Sequence, residues 1–480
     1  MALDIVIMAA GKGTRMKSRH PKVLHRLAGR PLLAHVLATV SVLGKHPTWV
    51  ITGHGAQAVE SAIAGTAAVA VRQMPQLGTG HAIAQVAPRL ADVGTTLILN
   101  GDVPLIEAAT AQALVDACAG QRLALLTIVL DDATGYGRIV RAATGGVGAN
   151  AAGSSGAGSS GTGGHSADSA VLGIVEHKDA TPAQRDIREV YTGMMAAPTA
   201  ALKRWVAALD NHNAQGEYYL TDIVAMAVAD GVPVVATQAH DDTEVLGVNS
   251  PVQLADLERR LQRRQADALL QAGVRLADPA RFDLRGVLHT GSDVEIDVGC
   301  VFEGTVTLGD DVQIGAHCVI RDALIGAGTV VQPFSHIDGA TVGAGAAIGP
   351  FARLRPGAAL ADEVHIGNFV EVKNSTLARG AKANHLAYLG DATVGERVNY
   401  GAGSITANYD GANKHRTVIG NDVHIGSNCV LIAPVTIGDG GTVGGGSTVS
   451  KNTAPGQLTV ARGRQVAING WTRPVKAKKG

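Results

Sequence analysis

The chain is poor in charge. Asp, Glu, Lys and Arg make up 17% of its 480 residues, against about 25% in an average protein. The two signs cancel to a formal net charge of zero, so there is no electrostatic case for a nucleic acid or an anionic membrane as the main partner. Cysteine is scarce as well. Cys118, Cys300, Cys318 and Cys429 lie far apart without metal-ligand spacing, and they read as reduced, buried thiols of a cytoplasmic protein. No apolar run is long enough to span a bilayer, and the first ten residues lack the basic start of a signal peptide. What the chain does have is glycine: 61 residues, roughly twice the usual share. Its length leaves room for two or three domains.

The glycines belong to a repeat. Aliphatic or aromatic residues return every six positions in three runs: Ile296, Phe302, Leu308, Ile314, Ile320; then Val342, Ile348, Leu354, Leu360, Ile366, Val372; then Ile419, Ile425, Leu431, Ile437, Val443, Val449. Neither a helix face nor a strand face alone repeats every six residues. A short flat strand followed by a tight corner does, and three such sides make a triangular coil of a parallel β-helix. Corners need small or positive-φ residues, which accounts for Gly, Asn and Asp there. Stacked coils bury one narrow continuous core. The phase breaks over 22 residues between Ile320 and Val342 and over 47 between Val372 and Ile419. These breaks are expected to be irregular loops, and loops on a rigid scaffold are where function usually sits. The longer break carries His385, Tyr388, Asn399, Asn408 and Tyr409, with Lys373 at its start. A three-sided prism also suggests a symmetric trimer.

The N-terminal half reads differently. Leu3-Asp4-Ile5-Val6-Ile7-Met8 is a buried strand, followed at once by Ala9-Ala10-Gly11-Lys12-Gly13-Thr14-Arg15-Met16. Small residues let backbone N–H groups approach phosphates, and Arg15 and Lys22 add positive charge. Strands expected over residues 49–52, 67–71 and 95–99 alternate with helix-like segments, implying a doubly wound α/β sheet. The third ends in Asn100-Gly101-Asp102, where open α/β sheets bind ligands, and a carboxylate there suits Mg²⁺ held together with phosphates. Gln73, Gly78 and Thr79 lie in another small-residue loop. Residues 142–170 are dominated by Gly, Ser and Ala, with nine glycines between Gly145 and Gly164. Such a stretch cannot bury enough apolar surface to order itself, and it is expected to be a flexible hairpin insertion. Ser250-Pro251 opens a helix with the apolar stripe Leu254, Leu257, Leu261 and Leu269 and a stop at Gly273. The expected division is 1–249, a linker helix 250–274, and 275–480. The basic tail carries Arg473, Lys476, Lys478 and Lys479 and would either be solvated or approach coenzyme A phosphates.

The Gly-rich string with Pro21-Lys22 downstream resembles sugar-nucleotide pyrophosphorylases. With Gly173-Ile174-Val175-Glu176-His177-Lys178, Gln215-Gly216-Glu217-Tyr218-Tyr219-Leu220 and the six-residue repeats, nearly the whole chain is similar to bacterial bifunctional N-acetylglucosamine-1-phosphate uridyltransferase/glucosamine-1-phosphate N-acetyltransferases. That resemblance implies a Rossmann-like nucleotidyltransferase domain followed by a left-handed β-helix acetyltransferase domain, in a cytoplasmic homotrimer that supplies peptidoglycan and lipopolysaccharide precursors. It implies that Met8, Ala9, Ala10, Gly11, Lys22, Gln73, Gly78, Thr79, Asn100, Gly101, Asp102, Gly137, Glu176, Tyr191 and Asn249 hold the UDP-sugar, with Asp102 and Asn249 on Mg²⁺. Tyr191 departs from the family, which has Asn at this place. Arg355, Lys373, Tyr388 and Asn399 would bind glucosamine 1-phosphate. Ala402, Asn408, Tyr409, Ser427, Gly445 and Arg462 would line an acetyl-CoA groove between subunits; Gly445 stands where the family has Ala.

Two chemistries follow. Uridyl transfer depends on positioning and charge neutralisation by Arg15, Lys22 and the metal. Acetyl transfer needs a base for the amine, and His385, in His385-Leu386-Ala387-Tyr388-Leu389-Gly390-Asp391, is the candidate, because an imidazole ordinarily titrates near pH 6.5. Two other readings stand beside this one. In the first, the chain is a pyrophosphorylase whose β-helix serves only assembly or regulation. In the second, the β-helix carries a carbonic-anhydrase-like site of three converging histidines.

Overall fold

The computed structural model describes residues 2–142 and 169–475, and the chain divides into two compact units, Met1–Leu261 and Gln262–Gly480. The insertion expected over 142–170 falls almost wholly outside the described residues. Its two flanks, Gly137–Arg141 and Val171–Val175, pair antiparallel.

The first unit is built on a mixed sheet. In spatial order its strands are Val234–Gln238, Leu123–Val129, Glu189–Pro198, Thr95–Asn100, Leu3–Ala9, Thr48–Thr52 and Val69–Arg72. Leu3–Ala9 lies between Thr48–Thr52 and Thr95–Asn100, parallel to both, so the chain winds outward from it in two directions. Strands covered on both faces carry unbroken apolar runs, and Ile5, Val6 and Ile7 are all fully buried. Glu189–Pro198 runs antiparallel to both of its neighbours, an interruption of the parallel pattern. A Gly-rich turn leaves the carboxyl end of Leu3–Ala9, and Asn100-Gly101-Asp102 leaves the end of the adjacent strand. The two loops therefore lie side by side, and the Gly101 amide donates to the Met8 carbonyl at 2.9 Å.

The helix Pro251–Gln271 begins as expected: Ser250 Oγ accepts from the Gln253 amide at 3.2 Å. It ends at Gly273, where φ is +96°. The Gly273 amide donates to Leu270 and that of Val274 to Leu269, the pair of bonds that closes a helix whose next residue is left-handed.

The second unit is a parallel β-helix. Every residue of the three six-residue runs is buried, and they join one continuous core. The first gap, however, is not a loop, and the second is one only in its last part. Between Ile320 and Val342 the core continues through Ile325, Val331 and Ile337, and between Val372 and Tyr400 through Leu377, Ala383, Leu389 and Val394. The repeat shortens by one residue on one side, so neighbouring coils pair 17 residues apart instead of 18, as in Val319↔His336 and Glu371↔Tyr388. Lys373, His385, Tyr388 and Asn399 therefore stand on regular strands. The chain leaves the coil between the strands Ile405–Ala407 and Thr417–Ile419, in an excursion closed by a Tyr409↔Lys414 bridge.

The corners also differ from expectation. Asp, Asn and Gly take positive φ at many of them, but so do Phe334, Phe351, Phe369 and Leu386, at +62°, +55°, +57° and +49°, where bulky side chains are rare. The rings of His317, Phe334, Phe351 and Phe369 stack in succession at 5.3, 5.0 and 5.3 Å, close to the spacing of adjacent strands. All four cysteines are free and buried. Burial pushes the Cys300 thiol to about 11 and that of Cys318 to about 12.

Candidate active sites

A cavity of 490 Å³ opens at the carboxyl ends of the first unit's central strands. Met8, Ala9, Ala10, Gly11, Lys22, Gln73, Gly78, Thr79, Asn100 and Asp102 line it, all singled out in the sequence. Lys12, Gly13, Thr14, Gln76 and Glu217 line it too; of these Glu217 is the acid that the sequence reading passed over. The loop at Gly78 is fixed by its surroundings. Its φ is +110°, and a Cβ there would stand 2.5 Å from the Tyr218 carbonyl oxygen. Gln73 Nε2 donates to the Gly78 carbonyl at 2.9 Å, and Thr79 Oγ1 accepts from the Leu220 amide at 3.0 Å.

Lys22 is the centre of charge. Its ammonium donates to Asp102 Oδ2 and, at 3.0 Å, to Asn249 Oδ1. Asn249 reaches this place because the neighbouring Val248 amide donates to the Asp102 carbonyl at 2.9 Å. Two oxygen donors thus converge on one cation, a donor set suited to a hard metal ion bound together with phosphates. Arg15 is exposed on the turn Thr14–Met16 and is not among the cavity-lining residues.

Gly137, Glu176 and Tyr191 lie outside that lining and group together. Tyr191 pairs in register with Gly137, and a Cβ on Gly137 would stand 3.7 Å from both Glu176 carboxylate oxygens. Burial raises the Glu176 carboxyl above its ordinary value, while Thr221 Oγ1, donating at 3.1 Å, works the other way. Burial likewise pushes the Tyr191 phenol well up.

On the β-helix, His385 ends the strand Lys382–His385, just before the corner at Leu386, with its imidazole exposed. Its Nδ1 lies 3.0 Å from Asn368 Oδ1, and the two residues pair on neighbouring coils. An amide oxygen only accepts, so the Nδ1–H tautomer is favoured and Nε2 is left as the basic nitrogen. Ala402, Ser427 and Gly445 continue the same column: the carbonyls of His385, Ala402 and Ser427 accept in turn from Gly403, Asn428 and Gly446. Arg462 Nη1 donates to the Gly445 carbonyl at 2.6 Å. A Cβ on Gly445 would meet only the Ser427 backbone, at 3.4 Å and beyond, so an alanine fits there.

One side of the prism gathers Arg355, Lys373 and Tyr388. Arg355 Nη1 is paired with Glu371 at 2.8 Å. Lys373 has a second lysine beside it, Lys414 from the excursion. The contact with Lys414 and desolvation together lower the Lys373 ammonium below its ordinary value. Burial raises the Asp391 carboxyl, but hydrogen bonds from Asn374 and Asn408 and the nearby lysines outweigh it, leaving the group below its usual range. Asn408 is thus buried against Asp391, while Tyr409 is exposed and donates to the Gly411 carbonyl. Asn399 stands apart: it pairs with Lys382 and His424, in a different sheet from Lys373 and Tyr388. Asn368 and Lys414 were missed in the sequence. The signal for Asn368 was its place one coil, 17 residues, before His385.

Among the described residues no group of three or more His, Cys, Asp or Glu side chains is placed to hold a metal ion, so the carbonic-anhydrase-like reading has no observation behind it. No helix among them is long and apolar enough to cross a membrane.

Three family models match parts of the chain. Residues 5–215 match the MobA-like NTP transferase domain, residues 284–367 the GMPPB C-terminal domain, and residues 416–451 the bacterial transferase hexapeptide of six repeats. The chain is 72% identical to the bifunctional protein GlmU of Methylibium petroleiphilum, over 99% of this chain and 100% of that protein. It is 65% identical to that of Acidovorax sp. strain JS42, over 100% of both chains. With the one from Janthinobacterium sp. strain Marseille it shares 54% identity, over 99% and 100%.

Proposed function

Because the chain belongs to the GlmU family of bifunctional proteins, uridyltransferases and acetyltransferases of UDP-N-acetylglucosamine synthesis, we propose that its two units carry one half-reaction each, at the two sites described. The observation that carries this reading is that each unit has its own geometrically organised polar groups: Lys22 with Asp102 and Asn249 in one, and in the other the His385–Asn368 pair and, on an adjoining side of the prism, the lysine pair.

In the first, a phosphate oxygen of N-acetylglucosamine 1-phosphate attacks the α-phosphorus of UTP. The new O–P bond forms as the bond to the β-phosphate breaks, and pyrophosphate leaves. The protein's part is positioning and charge. Backbone amides around Gly11 approach the phosphates, Lys22 and Arg15 supply positive charge, and Asn100 with Gly101 holds the nucleotide. Asp102 and Asn249 would hold Mg²⁺, which they suit because both oxygens already converge on a cation. When bound, that ion neutralises phosphate charge. For Lys22 this implies release of Asp102 and a turn of its ammonium toward phosphate.

In the second, the amine of glucosamine 1-phosphate attacks the acetyl-CoA thioester carbon. The C–N bond forms, the C–S bond breaks, and the thiolate of coenzyme A leaves. His385 Nε2 takes the amine proton, with Asn368 holding the ring through Nδ1. Arg355, Lys373, Lys414 and Tyr388 form a cationic seat for the sugar phosphate, and Ala402, Ser427, Gly445 and Arg462 border the acetyl-CoA.

We further propose that the chain works as a cytoplasmic homotrimer with acetyl-transfer grooves between copies. Three observations support this. Phe334, Phe351, Phe369 and Leu386 form an exposed ridge leading to His385. Residues 463–475 form an exposed arm bearing Val466, Ile468 and Trp471. Asn399 lies on a different side from the rest of the sugar-phosphate set. Mixing His385→Ala chains with Asn399→Ala chains tests the arrangement. Recovery of acetyl transfer after subunit exchange supports a shared groove, and no recovery after verified exchange contradicts it.

A further inference from the structure

We infer that Asp410 is a positioning residue for acetyl transfer: its carboxylate closes the excursion 408–416 and keeps the Lys414 ammonium in the phosphate seat beside Lys373. The inference rests on the acetyl-transfer reading above and goes further by saying what holds that seat together before substrate arrives.

The seat poses a problem of charge. The Lys373 and Lys414 side chains are in contact, and like charges this close disfavour each other. Lys373 is fixed by its strand, Glu371–Lys373. Lys414 is exposed on the excursion, and among the described residues no carboxylate forms an ion pair with its ammonium. Its own side chain therefore does not keep it facing Lys373.

The tip of the excursion does. Asp410 Oδ1 accepts from the Ala412 amide at 2.8 Å and from the Asn413 amide at 2.6 Å. Its Oδ2 accepts from His415 Nε2 at 2.6 Å. The residues on either side of Lys414 are thus tied to one carboxylate. The backbone closes around the same point: the Asp410 amide donates to the Asn413 carbonyl at 3.2 Å, and the His415 amide to the Asn408 carbonyl at 2.8 Å. The base of the excursion is anchored separately, by Asn408 on Asp391 and by Arg416 on the Ala392 carbonyl and Thr393 Oγ1. Among the described residues every hydrogen bond of the Asp410 side chain stays inside the excursion. The Asn413 amide, the His415 ring and the Ala412 amide together hold the Asp410 carboxyl well below the usual carboxylate range, so the clamp is ionised at neutral pH.

Without the clamp an exposed segment samples many conformations, and ordering it when substrate binds costs entropy. Apparent affinity for the sugar phosphate then falls with the fraction of time that Lys414 is in place. The proton transfer runs through His385, in a different sheet of the prism from Lys373, and does not involve Asp410.

The test uses the full-length chain and follows coenzyme A release at varied glucosamine 1-phosphate and varied acetyl-CoA, with melting temperature alongside. Asp410→Ala is expected to raise KM for glucosamine 1-phosphate about tenfold, with kcat and the KM for acetyl-CoA within about threefold. Asp410→Asn keeps an oxygen for the two amides and should recover most of that loss. In a Lys414→Met background Asp410→Ala should add less than about twofold, because the group it positions is gone. Asp278→Ala removes a comparable bond, to the Ala280 amide in the same unit, and should change none of these. An unchanged KM for glucosamine 1-phosphate in Asp410→Ala overturns the inference, including the case where only the melting temperature moves. So does a KM for acetyl-CoA raised as much as that for the sugar phosphate, or the same rise in the Lys414→Met background. If the wild-type chain releases no coenzyme A with glucosamine 1-phosphate, the acetyl-transfer reading itself falls and takes this inference with it.

Discussion

Asn368 and His385 face each other across neighbouring coils of the β-helix, with 3.0 Å between the amide oxygen and the imidazole Nδ1. One residue therefore fixes the ring of the other. His385→Ala is expected to slow acetyl transfer by about 10²–10⁴, the usual worth of a general base. Asn368→Leu, which only frees the ring, should lower kcat by about tenfold and leave KM for both substrates within about twofold. Asn368→Asp should restore part of the rate. A rise in KM with kcat unchanged would show that Asn368 contacts substrate instead of orienting the base.

Lys22 is the sole cation drawn into the Asp102–Asn249 pair among the described residues. Lys22→Met should cut uridyl transfer by at least about 10²-fold, comparable to losing one preorganised charge-stabilising donor. Acetyl transfer should stay within a few-fold. Pyrophosphate release and coenzyme A release, followed separately, check both halves.

The Lys373–Lys414 pair gives a pH dependence with a definite sign. Lys414 and desolvation lower the Lys373 ammonium below its ordinary value, so in the free protein Lys373 loses its proton at a lower pH than an isolated lysine. A bound phosphate dianion favours the protonated form. Binding of glucosamine 1-phosphate should therefore take up protons as pH rises through that lowered value, and its KM should climb over the same interval. In Lys414→Met the largest cause is gone, and the climb should move to higher pH. Calorimetry in buffers of different ionisation enthalpy reads the proton uptake directly. The same pH dependence in both proteins would contradict the coupling.

Removing residues 145–165 should leave both activities near wild type. The ends of the segment are already held by the antiparallel pair Gly137–Arg141 and Val171–Val175, and shortening a connecting loop changes its closure entropy only slowly. Melting temperature and both assays check this. A drop of more than about 5 °C would mean that the segment packs on the fold, since that corresponds to more than about 1 kcal/mol.

How much of this was legible in the sequence depended on the distance over which each signal acts. The six-residue phase named core residues correctly because one inward side chain per side is a local rule. It failed between Val372 and Tyr400, where one side of each coil drops a residue. That shift flips the apparent phase without breaking the ladder, so His385 and Tyr388 looked like loop residues but stand on strands. Asn368 went unnoticed because its contact with His385 crosses coils, and Lys414 because it meets Lys373 only through the excursion from the coil. The Gly-rich turn of the nucleotide cavity was readable since its residues are contiguous. The positive-φ phenylalanines were not, because bulky residues are disfavoured there and only the stacked ladder explains their presence.

The most direct test of the two-site account is to assay both half-reactions on two single variants, Asp102→Ala and His385→Ala, each purified as the full chain. Asp102→Ala should lose uridyl transfer even at saturating Mg²⁺ and keep acetyl transfer within a few-fold. His385→Ala should show the reverse pattern, with acetyl transfer down by about 10²–10⁴. Loss of both activities in either variant, with the fold intact by circular dichroism, or normal uridyl transfer by Asp102→Ala, would contradict the assignment of one reaction to each unit.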